Sequence, residues 1–120
     1  MYSFYIHSET PSKKNSVKFN SNTHRTYKTK HFQEWHKIAM VELMKQKRPS
    51  TPIQHCNITL TFIHGDYRRR DSDNGCSSIM DLLVDMGIIQ DDNWKVVEKT
   101  TIINGYSKNK PTCLIQIEKL

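Results

Sequence analysis

The sequence predicts a single α+β domain in the order β-α-β-α-β-β, with a mixed four-stranded sheet and its helices on one face. Three observations predict it. Residues 54–64 alternate between apolar and polar side chains, the period of a half-buried strand. Two stretches, 29–45 and 74–86, repeat apolar residues at the spacing of an amphipathic helix. Proline, glycine and asparagine clusters punctuate the chain between these stretches. At 120 residues and with no internal repeat, the chain reads as one domain over 1–120 with a modest core.

The elements follow in order. Tyr2-Ser3-Phe4-Tyr5-Ile6-His7 is aromatic and β-branched enough for a short first strand. Residues 8–28 hold Pro11, several Ser and Asn, and Lys13, Lys14, Lys18, Arg25 and Lys28 interleaved with Phe19 and Tyr27. They read as a long basic loop, which either grips phosphates and stacks on unpaired bases or is simply solvated. In the first helix, Phe32, Trp35, Ala39 and Leu43 share one stripe and belong to the core. Arg48-Pro49-Ser50-Thr51-Pro52 ends it.

In the strand at 54–64, Cys56, Ile58, Leu60, Phe62 and His64 share one face. His64, at the end of that face, reads as a hydrogen-bonded rim residue, and Gly65 lets the chain leave the sheet. Ile79, Leu82, Leu83 and Met86 form the stripe of the second helix, with Gly87 as its C′ residue. Asp81 and Asp85 read as solvated charges on its outer face. Met80 and Val84 add a second apolar flank, which is either covered by the basic loop or placed at a dimer interface. Residues 94–103 and 112–118 read as the last two strands, joined as a hairpin because Asn104-Gly105 and 109–111 break the chain between them.

The charge is uneven. The whole chain carries +6, with a pI near 9.3. Residues 1–50 hold ten Lys/Arg against three Asp/Glu, and residues 51–120 hold eight against nine. An anionic partner for the N-terminal half follows. Three cysteines without a CxxC pair, and histidines in no HxxxH or HExxH spacing, argue against a disulfide scaffold or a zinc site. With no signal pattern and no apolar run of membrane-spanning length, a soluble protein of the reducing cytoplasm, with no membrane partner, is expected.

The chemistry-bearing cluster is Asp66-Tyr67-Arg68-Arg69-Arg70-Asp71-Ser72-Asp73-Asn74, followed after the helix by Asp91-Asp92. Carboxylates bind hard cations through oxygen, and guanidiniums bind phosphate. Together they point to metal-assisted chemistry on a nucleic-acid backbone. In extended geometry Asp71 and Asp73 would point the same way; Asp or Asn at this place is equally an ordinary helix N-cap. A helix from 74 to 86 would be about 18–20 Å long, so the two acidic pairs begin at its opposite ends. The linker 87–90 reaches back at most roughly 13–14 Å. Either it doubles back or a two-fold partner lays its helix antiparallel alongside.

At these residues the chain resembles the RusA family of Holliday-junction resolvases. Arg68-Arg69-Arg70-Asp71-Ser72-Asp73-Asn74, Asp81-Leu82-Leu83, Gly87 and Asp91-Asp92 match the family pattern in order and spacing, and Pro11-Ser12-Lys13-Lys14-Asn15 matches its N-terminal Pro-Ser-x-x-Asn element. The resemblance implies a RusA-like fold and a homodimeric, Mg²⁺-dependent endonuclease (Mn²⁺ being an alternative) that nicks four-way junction DNA symmetrically in recombination and repair. It implies Asp71, Asp73 and Asp92 as metal-binding catalytic acids, with Asp91 beside them. Arg68, Arg69, Arg70, Lys13, Lys14, Lys18, Asn15, Asn74 and Ser77 would contact DNA. Members are often phage-encoded, which would place the protein in a host cytoplasm. Ser77 stands where the family usually has a lysine. Lys13, Lys14 or Lys95 then takes that role, or the protein is a weakened or inactive junction-binding module.

Overall fold

The computed structural model describes all 120 residues, the side chain of Asn15 excepted. The DNA-contact role expected of Asn15 therefore lies outside the described residues. Strand β1 (Tyr2–Ile6) is followed by a 3-10 turn (Lys14–Ser16), β2 (Val17–Asn20), β3 (Arg25–Lys28), helix α1 (Lys30–Met44), β4 (Cys56–His64), helix α2 (Cys76–Asp85), β5 (Val97–Tyr106) and β6 (Thr112–Lys119). The main sheet has the order β1-β6-β4-β5, with β4 and β5 parallel and the other pairs antiparallel. This is the expected mixed four-stranded α+β fold.

Alternation sets the core. Phe4, Ile115 and Leu60 pair across three neighbouring strands, and all three are fully buried on the same face. Cys56, Ile58, Phe62, Cys113 and Ile117 extend that face, and Phe32, Trp35, Ala39, Leu43, Ile79, Leu82 and Leu83 of the helices close it. Each such aliphatic side chain contributes about 1.5–3 kcal/mol on burial, against under roughly 1 kcal/mol for an exposed ion pair. The core, not the surface charge, holds helices to sheet. The turn after α1 covers the outer edge of β1: Gln46 accepts from the Tyr5 N–H (2.9 Å) and donates to the Tyr5 carbonyl (2.8 Å).

Three expectations need correction. Residues 17–28 are not loop but a separate two-stranded ribbon, β2 paired with β3. Lys18 and Asn20 alternate there with Val17 and Phe19, which are themselves exposed, so no buried face marks it in the sequence. Asn104-Gly105 is not a turn; it lies inside β5, and β5 and β6 flank β4 on opposite sides instead of forming a hairpin. Met80 is buried within its own chain, and Val84 packs against the same core, so the second flank of α2 is taken up inside the protomer.

Candidate active site

The loop between β4 and α2 carries the arginines and the first acids. The Asp66 carboxylate accepts from the Arg68 N–H and from the Arg70 guanidinium, each at 2.9 Å. The bond from Arg70, then that from Arg68, holds the Asp66 carboxyl below its usual range. Arg70 also meets Glu9 at 3.3 Å and is only 14 % exposed, held between two carboxylates. Arg68 and Arg69 make no ion pair among the described residues and remain available for phosphate.

Glu9 ties this loop to the sheet. Its carboxylate meets His64 Nδ1 at 2.8 Å and accepts from the Gly65 N–H at 3.3 Å. His64 Nε2 faces the Asn104 side-chain oxygen at 2.8 Å, and the Asn104 amide donates to the Ser72 carbonyl at 2.9 Å. Since a carbonyl only accepts, the Asn104 oxygen must face His64, so both ring nitrogens of His64 look at acceptors, the Glu9 carboxylate on one side and the Asn104 oxygen on the other. His64 is the hydrogen-bonded rim residue expected of it. Glu9 and Asn104 were not legible as partners; the polar Asn inside a β-run was the available signal, and it reads equally as a turn.

Residues 72–75 are turns, with the Asn74 N–H bonded to the Asp71 carbonyl and the Cys76 N–H to the Asp73 carbonyl, both at 3.1 Å. The backbone between Asp71 and Asp73 is thus coiled, not extended, and the two carboxylates part. Asp71 lines a cavity of about 280 Å³ with His64, Arg68, Arg70, Ser72 and Asn104. Asp73 lines a different one, of about 350 Å³, with Cys76, Ser77, Met80, Asp92, Thr100 and Ile102. Asn74 faces a third, of about 580 Å³, shared with Arg68, Arg69 and Arg70.

Asp92 reaches Asp73 within one chain. The helix is shorter than its apolar period, ten residues from Cys76 to Asp85 and so about 15 Å long. Gly87, at φ 68°, closes it: the Ile88 N–H bonds the Leu83 carbonyl (2.9 Å) and the Gly87 N–H bonds that of Val84 (3.0 Å). Ile53 then clamps the returning strand, accepting from Gln90 and donating to the Ile88 carbonyl, each at 2.9 Å. Residues 91–96 follow as a tight turn. Asp91 shapes that turn, accepting from the Asp92 N–H (2.7 Å) and from the Asn93 side chain (3.1 Å). Its carboxylate is thus engaged by one backbone N–H and one side-chain amide of its own turn.

Burial first, and then the charges of Asp73 and Asp92, push the Cys76 thiol up. Both carboxylates line the same cavity as that thiol, and neither makes an ion pair among the described residues. Among those residues, no three His, Cys, Asp or Glu side chains converge closely enough to hold a metal by themselves. Two free carboxylates in an open cavity nevertheless fit Mg²⁺, which keeps several waters and is commonly held by one or two carboxylates together with substrate phosphate.

The basic arm docks on α2. Lys13 is ion-paired with Asp81, with Lys28 Nζ 3.9 Å from the same carboxylate, and Ser78 Oγ donates to the Pro11 carbonyl at 2.6 Å. Asp85 meets His36 at 3.0 Å. Asp81 is not the plain solvated charge expected, whereas Asp85 is exposed, as expected, with His36 as its one close neighbour. Lys14 and Lys18 stay exposed and Ser77 lies open beside Asp73.

The family model of the endodeoxyribonuclease RusA matches residues 9–118. The chain belongs to the RusA family. It is therefore an endodeoxyribonuclease of the family that resolves Holliday junctions, and its strands, acids and arginines fall inside the matched region, apart from β1 and the last residue of β6. No curated protein matches the chain. No helix is long and apolar enough to cross a membrane.

Proposed function

We propose that this RusA-family protein resolves four-way DNA junctions by divalent-metal-dependent hydrolysis, in DNA recombination and repair in the cytoplasm. The observation that carries the reading is the single cavity lined by Asp73 and Asp92 of one chain. Those two carboxylates would hold Mg²⁺ or Mn²⁺, with Asp71, two residues before Asp73 and beside Arg68 in the neighbouring cavity, as the third acid the family resemblance implies. A cation held there supplies positive charge beside the scissile phosphate. The chain's own groups do the rest. Arg68 and Arg69 face the phosphates, while the Glu9–His64–Asn104 network fixes the loop that carries the acids. Of Lys13, Lys14 and Lys95, Lys13 is the one that an ion pair ties to α2, at Asp81 one turn beyond Ser77, and it is the first to test as a replacement for the missing lysine.

A two-fold substrate calls for a second copy of the chain. Support comes from the outer face of α1, where Ile38, Val41 and Met44 lie at helical spacing and are 50–60 % exposed. The test is a labelled junction incubated with Mg²⁺ or with EDTA. Paired nicks with Mg²⁺ and none with EDTA are expected, from a species of twice 14.1 kDa on sedimentation. Binding without nicking in either condition would make the protein a junction-binding module instead.

Salt dependence tests the basic surface. Junction affinity should fall steeply with salt, and Lys14→Ala with Lys18→Ala should lower the log–log slope by about 0.9 for each phosphate no longer neutralised. A slope unchanged in that double variant would move the DNA interface away from the ribbon.

A further inference from the structure

Tyr67 and Tyr106 form a pair that the chemistry above does not use. Their ring centroids lie 3.9 Å apart at 24°, a face-to-face stack. Tyr67 is nevertheless 82 % exposed and Tyr106 40 %. One face of Tyr67 is thus covered by its neighbour, and the other is open to solvent. A ring so exposed shields little of the sheet beneath it, so covering the core does not account for the arrangement.

Both rings project from chain whose neighbours are anchored. Tyr67 lies between Asp66, which accepts from Arg68 and Arg70, and the arginines themselves. Tyr106 is the last residue of β5 and pairs in register with His64, the centre of the Glu9–His64–Asn104 network. A ring presented this way loses little freedom when something stacks on it. The neighbours decide what that is. Arg68 and Arg69 are unpaired cations on the same loop, which favours a flat, anionic partner, and a nucleotide is both.

We propose that the open face of Tyr67 is a stacking platform for a nucleobase at the branch point of the junction. Inside a duplex each base has both faces covered by its neighbours. Where strands exchange, a base face is left free and can continue its stack onto an aromatic ring. Tyr106 backs the platform, and Arg68 meets the adjoining phosphate. The proposal rests on the junction reading above but adds a contact that discriminates branched from linear DNA, a task the arginines alone cannot do because phosphates occur in both.

The probe is a four-way junction carrying 2-aminopurine beside the exchange point and a dye on one distal arm, studied in EDTA so that it stays intact. A linear duplex with the same two labels is the control. Wild-type protein should quench the 2-aminopurine in the junction and not in the duplex. Tyr67→Ala should remove the quench and weaken junction affinity about tenfold, within the range for one base–aromatic stack. Tyr67→Phe should keep both, and Tyr106→Ala should lose the quench as Tyr67→Ala does. Dye anisotropy separates the failures. A wild-type protein that binds the junction without quenching, or a Tyr67→Ala variant that still quenches, overturns the platform and leaves the junction reading intact. A wild-type protein that does not bind the junction overturns both.

Discussion

Asp73→Asn is expected to reduce junction cleavage by roughly a hundredfold or more, the loss that follows when several kcal/mol of metal-borne charge stabilisation is removed. Junction affinity should stay the same or rise, because one negative charge fewer faces the phosphates. The geometry makes Asp73 the sharpest test of the site. Its carboxylate shares one cavity with Asp92 and makes no ion pair among the described residues, so the substitution leaves no buried partner unsatisfied. Asp91→Asn is the contrasting variant: its carboxylate is held by the Asp92 backbone and Asn93, so it should shift activity only by loosening the turn. Cleavage on a labelled junction, with anisotropy for binding, reads both. An Asp73→Asn variant that cuts at the native rate would remove the metal site from this cavity.

What the sequence made legible and what it hid divide along physical lines. The alternation from Cys56 to Phe62 and the stripes Phe32–Trp35–Ala39–Leu43 and Ile79–Leu82–Leu83 report burial directly, because burial is a property of each residue's own face. They located both helices and the central strand to within a few residues. The ribbon β2–β3 has no buried face, and so no period to read. Asn104-Gly105 has the composition of a turn, yet Asn104 is held in the strand by His64 and Ser72, two partners distant in sequence.

The site divided in the same way. The arginine run and the acids were visible as residue types, and the family resemblance ordered them. Their grouping was not visible, since it depends on the turns at 72–75 and on the clamp that Ile53 places on the returning strand. Those hydrogen bonds separate Asp71 from Asp73 and bring Asp92 to Asp73 without a second chain. Arg70 illustrates the limit most plainly. Its neighbours in sequence say phosphate ligand, and nothing near it announces the ion pair it makes with Glu9, far earlier in the chain.

The second large effect is expected at Gly75, which caps α2 between Asp73 and Ser77. Its φ of −99° and ψ of 0° are open to any L-residue, so the demand for glycine here is one of space, not of conformation. A Cβ at this position would lie 2.8 Å from Phe62 Cε1 and 2.8 Å from Thr10 Cγ2. Phe62 and Thr10 are each 3 % exposed, so neither can swing into solvent to make room. Gly75→Ala should therefore destabilise the fold by about 1–3 kcal/mol, the usual range for overpacking. For a domain of this size that is a fall in Tm of roughly 4 °C or more. Activity should suffer further than stability. Relief of the clash pushes the first turn of α2 away from the sheet, and Cys76, bonded to the Asp73 carbonyl, moves with it. Asp73 then shifts relative to Asp92, which is anchored separately through Ile53 and Ile88. The Mg²⁺ concentration for half-maximal cleavage should rise in Gly75→Ala even at temperatures where the variant is fully folded. Ser78→Ala is the control, since it removes the bond to the Pro11 carbonyl on the same helix without crowding its start. Urea unfolding and cleavage titrated with Mg²⁺ provide the two measurements. An unchanged unfolding midpoint would mean that Phe62 and Thr10 yield freely, and an unchanged Mg²⁺ requirement would mean that the start of α2 does not set the spacing of the two acids.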